Sequence, residues 1–508
     1  MVFNEFKIKH LNIKNRLVIP PMAIKRPDDL GFVTDSLIEY YDSMTKDQNM
    51  GLVIVEHSYV NIKGKAHLNQ LGMDNLNKVD GLKKLVNTIK ANGCGVIAQI
   101  SHAGQATSKE VTGFDTIGVS NIAYGRRNAP DSLFTEEEIE DLINDFVNAA
   151  LIAKKAGFDG CEIHSAHGYL LNQFYSKFTN KRSDKFGGPI ENRIYVHLEI
   201  IRRIRKSVGK DFLIFIRLGA IDYNMDGNTL EDAISAINIL KNEEIDCFDI
   251  SGGLCGYNVQ ELANTPGFFK EVTKEIKKIT DIPVILTGGV KTLKDADNLL
   301  KENAADLIGV GRKVLFNNHW LKDELFKESL SHLNDIGTVQ LETERLILRK
   351  AVIDDYIDVY NNWTSIEEVS KYVTWDTHKK EEDTKKYLEY VVMNYHRVFN
   401  FDWMVVLKEN NLPIGQITVV HIYDDGTAEL GYCFSPNYWN KGYCTECVKA
   451  VIKFLFNEVN VTRIIAKHLN DNPASGKVMI KAGMKLINTQ IINHRGVEKE
   501  ASVYEIKK

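Results

Sequence analysis

Eight short runs of apolar residues recur along the first two-thirds of the chain, and longer segments with helical periodicity separate them. Each run is continuous rather than alternating, which is typical of parallel strands that are buried on both faces. Eight strands alternating with helices predict an α/β fold, a (β/α)8 TIM barrel that ends near residue 320; a doubly wound open sheet is the alternative. The runs lie at residues 16–22, 52–55, 96–100, 160–163, 213–218, 247–250, 283–286 and 307–310.

Two of the intervening segments begin with a helix-start signal. Thr135 precedes Glu138 by three residues, the spacing of a capping box, and apolar residues follow at helical spacing. Thr292 stands three residues before Asp295 at the start of another segment. Both signals predict helices between consecutive strands, as a barrel requires.

After residue 338 the pattern changes to hairpin-like strands with two helical regions, which predicts a smaller α+β domain. A length of 508 residues is also too great for a single core. We therefore divide the chain into a barrel domain at 1–325, a linker at 326–338 and a second domain at 339–508. In the second domain strands are predicted at 345–348, 403–407, 414–420, 428–434 and 463–467, and helices at 354–363 and 445–456.

Composition restricts the classes of partner and the cellular compartment that we expect for the protein. A net charge of −5 gives no electrostatic reason to expect a nucleic-acid or anionic-membrane partner. Seven cysteines in 508 residues favour a reducing compartment over secretion. The sequence has no apolar run near the ~20 residues that span a bilayer and no signal peptide at its start, so we expect a cytoplasmic protein.

Unusual polar residues follow the predicted barrel strands, at the end where barrels place their active sites. Strand four is followed by His164, His167 and Tyr169, and strand five carries Arg217 inside an apolar run. Strand three leads into His102. The last two strands are followed by Gly288, Gly289, Gly311 and Arg312, where such barrels commonly hold a phosphate with loop amides.

Each of these residues has a structural interpretation as well. A lone His102 is more often structural than catalytic, and Arg217 could be an ion-paired strut. His164 and His167 could be metal ligands, but two histidines without a third ligand make a poor zinc site. Their occurrence together on one barrel face favours a functional site without a metal.

One long segment resembles the signature of the old yellow enzyme family, FMN-dependent NAD(P)H oxidoreductases that include ene-reductases. The segment reads His-Ser-Ala-His-Gly-Tyr-Leu-Leu-Asn-Gln-Phe at 164–174 and continues as Asn-Lys-Arg-Ser-Asp-Lys-Phe-Gly-Gly-Pro-Ile-Glu-Asn-Arg at 180–193. Lys-Asn-Arg-Leu-Val-Ile-Pro-Pro-Met at 14–22 and Thr-Gly-Gly at 287–289 match the same family. The resemblance covers roughly residues 1–320.

The resemblance implies bound FMN, reduction of the flavin by NAD(P)H, and transfer of hydride to an activated alkene. His164 and His167 would donate hydrogen bonds to the oxygen of an α,β-unsaturated carbonyl or nitro substrate, and Tyr169 would protonate the α-carbon. Members of this family often form homo-oligomers. The residues expected to hold FMN are Pro21, Met22, Ala23, His57, Gln99, Arg217, Gly288, Gly289, Gly311 and Arg312.

The sequence departs from the family pattern at three points. Ala23 stands where many relatives carry Cys or Thr, so another residue must tune the flavin potential. Lys25 stands where some relatives have a substrate-binding tyrosine, which leaves the substrate class open. No cysteine lies between Arg312 and Cys433, so an iron–sulfur relay after the barrel is not expected.

The second domain resembles the GNAT acetyltransferases, in particular the branch that acetylates ribosomal-protein N-termini. The resemblance rests on Leu-Glu-Thr-Glu-Arg-Leu-Ile-Leu-Arg at 341–349, on 429–446 and on Asn-Asp-Asn-Pro-Ala-Ser at 470–475. It implies acetyl-CoA as cofactor and an amine acceptor, either a protein N-terminus or a small molecule. The residues expected to bind acetyl-CoA are Asn440, Lys441, Gly442, Tyr443, Cys444, Thr445, Asn472 and Ser475.

Glu429 is the sequence's candidate to deprotonate the amine, although a glutamate in a strand is often merely solvated. Cys444 and Cys447 have the spacing of a redox or zinc pair, but no second pair accompanies them, so no metal is expected. The sequence thus predicts an oxidoreductase fused to an N-acetyltransferase. The alternatives are a non-catalytic CoA-binding module after the barrel and a barrel that acts as a flavin redox sensor.

Overall fold

Eight parallel strands close into a barrel in the first of two units, Met1–Lys322 and Asp323–Lys508. The computed structural model describes residues 1–46, 49–224, 226–257, 259, 262 and 265–508. The predicted fold class is confirmed, and all eight predicted runs are strands that pair in chain order around the closed barrel. The strands are β1 (Leu17–Ile19), β2 (Leu52–Tyr59), β3 (Gly95–Ser101), β4 (Gly160–Ser165), β5 (Leu213–Ile221), β6 (Cys247–Gly252), β7 (Val284–Thr287) and β8 (Leu307–Gly309).

Helices connect successive barrel strands. The capping boxes predicted at Thr135 and Thr292 are both formed: each threonine hydroxyl accepts from the backbone N–H three residues later, and the acidic side chain there accepts in return. The connecting helices are α1 (Asp35–Thr45), α2 (Val79–Ala91), α3 (Glu136–Ala156), α4 (Tyr195–Val208), α5 (Leu230–Leu240), α6 (Lys270–Lys277) and α7 (Leu293–Lys301). Shorter helices are Lys109–Thr112, Leu170–Tyr175, Ile190–Arg193 and Arg312–Phe316, and Trp320–Ser329 follows the last of these.

The barrel interior has an apolar lower layer and a polar upper layer. A two-stranded hairpin, Phe6–Ile8 with Leu11–Ile13, contributes Ile8 and Ile13 to the apolar cluster. The remaining members come from the first residues of the barrel strands: Val18, Leu52, Ile54, Ile97, Leu213, Phe215, Cys247, Ile285 and Leu307. Because side chains two residues apart share a face of a strand, the polar residues two positions further on face the same interior. The upper layer therefore contains Gln99, Glu162, Arg217, Asp249 and Thr287.

A buried ion pair joins α4 to the chain before β6. Arg205 Nη2 lies 2.6 Å from Asp246 Oδ2, and both side chains are almost fully buried. The same carboxylate oxygen accepts from the Ile214 amide at 2.7 Å, and Lys9 contacts the other oxygen. Arg205 also donates to the carbonyl oxygens of Gly209 and of Phe212. Removing either partner would leave the other charge buried and uncompensated, which is costly.

The second unit is built on one eight-stranded mixed sheet. Its order is β9-β10-β11-β12-β13-β14-β16-β15, and all neighbours are antiparallel except β13 and β14, which are parallel. Parallel pairing is recorded only from Ala428 with Ile464 to Leu430 with Ala466. The strands are β9 (Leu341–Glu342), β10 (Leu346–Arg349), β11 (Asp402–Leu407), β12 (Pro413–Ile422), β13 (Ala428–Phe434), β14 (Arg463–Leu469), β15 (Lys485–His494) and β16 (Val497–Lys507).

Helices cover both faces of this sheet. One apolar cluster joins the sheet to α9 (Tyr443–Asn457) and α10 (Pro473–Lys481), and a second joins the opposite face to α8 (Glu381–Asn394). The predicted helix at 354–363 is broken into a 3₁₀ turn, the short helix Tyr356–Val359 and a π turn, Tyr360–Thr364. The five predicted strands are present, whereas α8, β15 and β16 were not predicted. Among the described residues, no helix is both long and apolar enough to cross a membrane.

The Arg205–Asp246 pair gives a test of the barrel's stability. Replacing Asp246 with Ala leaves a buried guanidinium without its counter-charge and removes the acceptor of the Ile214 amide, so we expect the free energy of unfolding to fall by about 3–5 kcal/mol. The measurement is urea unfolding followed on the barrel transition. Lys185→Ala, which breaks an exposed ion pair with Glu136, is the control and should change the free energy by less than about 1 kcal/mol. Equal losses in both variants would contradict the prediction.

Candidate functional site

The polar upper layer of the barrel brings a cation and two carboxylates together. Arg217 Nε lies 3.4 Å from Asp249 Oδ2, and neighbouring strands place these residues side by side. Gln99 Nε2 donates to Glu162 Oε1 at 2.8 Å, and Thr287 Oγ1 donates to Asp249 Oδ1 at 3.1 Å. The sequence singled out Gln99 and Arg217 but not the two acids, although Glu162 and Asp249 interrupt predicted apolar runs just as Arg217 does.

Several buried atoms in this layer lack a hydrogen-bond partner among the described residues: Arg217 Nε, Asp249 Oδ2, Glu162 Oε2 and His164 Nδ1. Burial, and then the neighbouring Asp249, raise the pKa of Glu162 well above its ordinary value. Burial also raises the pKa of Asp249, against the opposing effect of Arg217. Near neutral pH the polar layer therefore carries less negative charge than two fully ionised carboxylates would give it.

His164, His167 and Tyr169 form one cluster at the end of β4. The His164 ring lies 5.2 Å from the His167 ring and 5.1 Å from the Tyr169 ring, edge-on in both cases. His167 adopts φ = 59°, in the left-handed region, and its Nε2 lies 2.8 Å from Ser251 Oγ on β6. Because His164 pairs in register with Arg217 on β5, the cluster adjoins the polar layer.

His57 completes the cluster from the end of β2. Its ring stacks on Tyr169 at 5.3 Å, and its Nδ1 lies 2.9 Å from the side-chain nitrogen of Gln70. Burial lowers the pKa of His57 to about 3 and lowers the pKa of His164 and of His167 well below the ordinary value. Burial raises the pKa of Tyr169, so near neutral pH the cluster presents neutral imidazoles and a protonated phenol.

Glycines after β7 and β8 allow the backbone conformations of the predicted phosphate loops. Gly288 has φ = 150° and Gly289 has φ = 74°, both in the region that favours glycine. A Cβ at Gly289 would lie 2.4 Å from the carbonyl oxygen of Thr265. The Arg312 guanidinium lies 5.5 Å from the centre of the Phe268 ring. Of these loops, the one after β7 has the conformation that favours glycine, whereas Gly311 after β8 has φ = −92°.

The segment after β1 lies beside the end of β8. Pro21 and Met22 are partly buried and Ala23 is exposed. A Cβ at Gly311 would lie 3.5 Å from Met22 Sδ. Nine of the ten residues predicted to hold FMN thus lie among the last three residues of a barrel strand or after it, whereas Arg217 lies in the middle of β5.

The sequence discussed one further residue of this face, His102, whereas a second feature of the face was not predicted. His102 is buried, its Nδ1 accepts from the Gly104 amide at 3.0 Å, and its neighbour Gly64 has no room for a Cβ, which supports its structural interpretation. Arg127 and Tyr124, from the chain between β3 and α3, contact the loop that carries His167. No sequence signal marks these contacts, because they join residues about 40 positions apart.

In the second unit, the predicted cofactor residues Asn440, Lys441, Gly442, Tyr443, Cys444 and Thr445 form a loop and the first turn of α9. Gly442 caps the helix with φ = 83°. Arg345 braces this loop: its Nη1 donates to the Lys441 carbonyl at 3.1 Å and its guanidinium lies 4.2 Å from the Tyr443 ring centre. Glu446 binds the same arginine at 2.7 Å, and its pKa is lowered by its hydrogen bonds with Thr343 and Arg345, which outweigh its burial.

The other two predicted cofactor residues, Asn472 and Ser475, lie at the start of α10, which follows β14. Asn472 caps α10 and accepts from the Ser475 amide. Tyr432 on β13 has its hydroxyl 3.0 Å from Ser475 Oγ, although backbone pairing of β13 with β14 is recorded no further than Leu430. The strands therefore separate between the loop before α9 and the start of α10.

Glu429 lies at the start of β13, before the strands separate. Its Oε2 accepts from Lys467 Nζ at 2.8 Å and from the Tyr423 hydroxyl. The carboxylate of Asp402, which the sequence did not single out, lies on β11 and accepts from Gln416 Nε2 at 2.8 Å, while Tyr387 donates to the same glutamine. Burial raises the pKa of Asp402 to about 6.

Cys444 and Cys447 are packed against the sheet, and burial raises the pKa of both thiols. Over the described part of the chain, histidine, cysteine and acidic side chains form no group of three that could hold a metal ion. Cys447 belongs to the apolar cluster on this face of the sheet, and Cys444 packs against that cluster.

The barrel's residues fit FMN. The buried polar atoms around Arg217 have no hydrogen-bond partner among the described residues, and burying a polar atom without a partner costs free energy. A bound ring system with its own polar atoms would supply the missing partners. The loops after β7 and β8, where barrels of this kind commonly bind a phosphate, would be the ones to hold the FMN phosphate.

Each of the two units is matched by a different family model. The model of the NADH:flavin oxidoreductase / NADH oxidase family matches residues 1–325, and the acetyltransferase (GNAT) domain model matches residues 345–485. The resemblances drawn from the sequence are confirmed at this level, while the ribosomal-protein branch of the second domain stays a prediction.

Relatives match over the barrel. An NADH oxidase of Thermoanaerobacter brockii is 35% identical over 63% of this chain, which spans 50% of that relative. An NADPH dehydrogenase of Halalkalibacterium halodurans is 35% identical over 63% of this chain and 93% of its own length.

Two solved structures share the barrel fold. A complex of 2-naphthoyl-CoA reductase has a TM-score of 0.60 and 29% identity over 63% of this chain and 51% of its own. The old yellow enzyme homologue from Zymomonas mobilis has a TM-score of 0.56 and 25% identity over 64% of this chain and 92% of its own. This chain belongs to the NADH:flavin oxidoreductase / NADH oxidase family, the old yellow enzyme family, and carries a GNAT acetyltransferase domain after its barrel.

Proposed function

We propose that the barrel is an FMN-dependent NAD(P)H oxidoreductase that reduces activated alkenes. The observation that carries this proposal is the cluster of His164, His167 and Tyr169 beside the buried Arg217 layer. Neutral imidazoles and a protonated phenol are the groups that an α,β-unsaturated carbonyl needs for polarisation and protonation. NADPH dehydrogenases among the relatives support the use of a nicotinamide reductant.

The chain's own residues bind, orient and protonate. Gln99 and Arg217 hold the pyrimidine edge of the flavin, and Arg217 stabilises negative charge there. Pro21, Met22, Ala23 and His57 line the cofactor, while Gly288, Gly289, Gly311 and Arg312 hold its phosphate. Bound FMN supplies the hydride.

His164 and His167 donate hydrogen bonds to the substrate oxygen, which makes the β-carbon electrophilic. Tyr169 gives its proton to the α-carbon. Because burial keeps both histidines neutral, they act as hydrogen-bond donors rather than as acids.

Replacing His164 and His167 together with Ala tests this assignment. Loss of both donors to the developing oxyanion should lower the rate of enone-dependent reoxidation by about 10²–10³-fold or more, while the bound FMN content is unchanged. The measurement is anaerobic stopped-flow absorbance after reduction with NAD(P)H. His10→Ala, an exposed histidine, is the control. Unchanged reoxidation in the double variant would overturn the role, and flavin that NAD(P)H cannot bleach would favour a structural or sensor function.

For the second unit we propose acetyl transfer from acetyl-CoA to an amine, a protein N-terminus or a small molecule. The supporting observation is the separation of β13 from β14 between the loop of Gly442 and the start of α10. Amides of 440–445 bind the pyrophosphate, and Asn472 and Ser475 lie further along the cofactor. Rate enhancement comes mainly from holding amine and thioester together. A non-catalytic CoA-binding module is the alternative.

Gly442→Ala tests the cofactor loop. An L-residue at φ = 83° is strained by about 1–2 kcal/mol, and relaxation of that strain moves the loop amides, so acetyl-CoA affinity should fall about tenfold. Isothermal titration calorimetry measures the affinity. Gly496→Ala carries the same kind of strain at φ = 79° in the β15–β16 turn and should leave the affinity unchanged. Equal affinities in both variants would contradict the loop's role.

Two carboxylates are proposed to take the amine's proton, Glu429 from the sequence and Asp402 from the structure. Asp402 can accept a proton only when ionised, so the rate of acetyl transfer that depends on it should rise with pH through about 6, and Asp402→Asn should abolish that rise. Glu429→Gln is the comparison. Acetyl transfer measured by thiol release that is unaffected in both variants would exclude both.

The same acid affects stability, because its pKa in the folded protein lies above its pKa in the unfolded chain. The free energy of unfolding should therefore fall as pH rises from about 4 to 6, and Asp402→Asn should reduce this pH dependence.

A further inference from the structure

We infer that Arg127 is a positioning residue of the reductase: it fixes the loop that carries His167 and Tyr169 and places a cation beside the phenol that releases its proton. The inference rests on the proposed function of the barrel. It concerns a segment between β3 and α3 to which neither the sequence nor the family comparison gives a role.

The local structure around Arg127 is a tight turn. Tyr124 and Arg127 exchange both backbone hydrogen bonds, at 3.1 Å and 2.9 Å, and Gly125 adopts φ = 55° between them. Gln105 anchors the flanking chain, because its Nε2 donates to the carbonyl oxygens of Ile122 and of Asn128 at 2.8 Å and 2.9 Å. The turn therefore presents the Tyr124 and Arg127 side chains together.

Both side chains bind the loop after β4. Arg127 Nη1 donates to the Gly168 carbonyl at 2.6 Å, and Nη2 donates to the His167 carbonyl at 3.1 Å. The Tyr124 hydroxyl donates to the same Gly168 oxygen, and Gln173 donates to it at 2.9 Å. Two consecutive carbonyl groups of the catalytic loop are thus held by one planar guanidinium.

The loop needs this support because it is strained. His167 has φ = 59° and Gly168 has φ = 70°, so two successive residues lie in the left-handed region. A Cβ at Gly168 would lie 2.2 Å from Arg127 Nη1, which shows how closely the guanidinium packs on the backbone. Fixing both carbonyls keeps His167 in the conformation that brings its ring 5.2 Å from His164.

The charge of Arg127 acts on Tyr169. The guanidinium lies 5.7 Å from the centre of the Tyr169 ring, and it donates hydrogen bonds to the Tyr124 hydroxyl and to the Gly168 and His167 carbonyl groups. The other groups that face this phenol are the rings of His57 and His164 and the hydroxyl of Tyr124. Burial raises the pKa of Tyr169, Arg127 lowers it, and Tyr124 raises it slightly further.

The positive charge of Arg127 would act in the step in which Tyr169 gives its proton to the substrate. The phenol O–H bond breaks as the proton passes to the substrate α-carbon, the electron pair stays on the Tyr169 oxygen, and a new C–H bond forms. Reduced FMN, when bound, would supply the hydride that the β-carbon takes up, and water would return a proton to the Tyr169 phenolate. Because negative charge develops on Tyr169 only during this step, a fixed cation beside it stabilises the transition state more than the ground state.

The test separates charge from geometry with three variants of the full chain loaded with FMN. Arg127→Gln keeps an amide donor for the carbonyls but removes the charge, Arg127→Lys keeps the charge but loses the two-pronged contact, and Arg126→Gln is the control at an exposed neighbour. The readouts are FMN affinity, the rate of flavin reduction by NAD(P)H, the rate of reoxidation by 2-cyclohexenone, and the solvent deuterium isotope effect on reoxidation.

We expect Arg127→Gln to slow reoxidation by about 10–100-fold and to increase its solvent isotope effect, with FMN affinity and flavin reduction unchanged. Arg127→Lys should restore the isotope effect of the wild type and only part of the rate. Reoxidation in Arg127→Gln equal to that in Arg126→Gln would overturn the inference, as would equal losses in both half-reactions and in FMN affinity. A wild-type protein that binds FMN and is reduced, but is not reoxidised by the enone, would instead reject the proposed function.

Discussion

Burial of the Arg217 charge inside the barrel is the constraint on which the first unit depends. A guanidinium that is 3% exposed needs a counter-charge, and Asp249 on the neighbouring strand lies 3.4 Å from it, while Glu162, whose pKa is raised by burial, lies in the same layer. Those acids in turn need the donors of Gln99 and Thr287. Since this polar layer contributes little to hydrophobic stability, the layer below it must be wholly apolar, and the hairpin with Ile8 and Ile13 adds to that layer.

The same arrangement explains where chemistry can occur. Polar side chains are confined to one end of each strand, so a ligand meets them only from the mouth of the barrel. Burial that would be costly for an isolated polar group here holds His57, His164 and His167 neutral. The charge state of these histidines therefore depends on how deeply the barrel buries them as well as on their residue type.

Local sequence signals predicted the strands and caps, but not the contacts between distant loops. The continuous apolar runs marked the eight strands, and the spacing of Thr135 and Glu138 marked a helix start. By contrast, Arg127 contacts Gly168 across 41 positions of the chain, and this contact forms because β3 and β4, which precede the two residues, pair side by side. In the second unit, α8 was missed because its inward face is short, and β15 because it is exposed along most of its length and has no alternation. Asp402 lacked any signal, since its partners come from β12 and α8.

The separation of β13 from β14 has a consequence for the backbone itself. Each strand continues beyond the last parallel pair, so the residues after Leu430 on β13 and after Ala466 on β14 have no backbone pairing with each other. An unpaired strand edge is a template for any chain of amides that enters it. An elongated ligand with its own amide groups could therefore bind as a substitute strand, recognised by the pattern of peptide hydrogen bonds rather than by side chains. Specificity of this kind tolerates substitution of nearly every side chain along the gap.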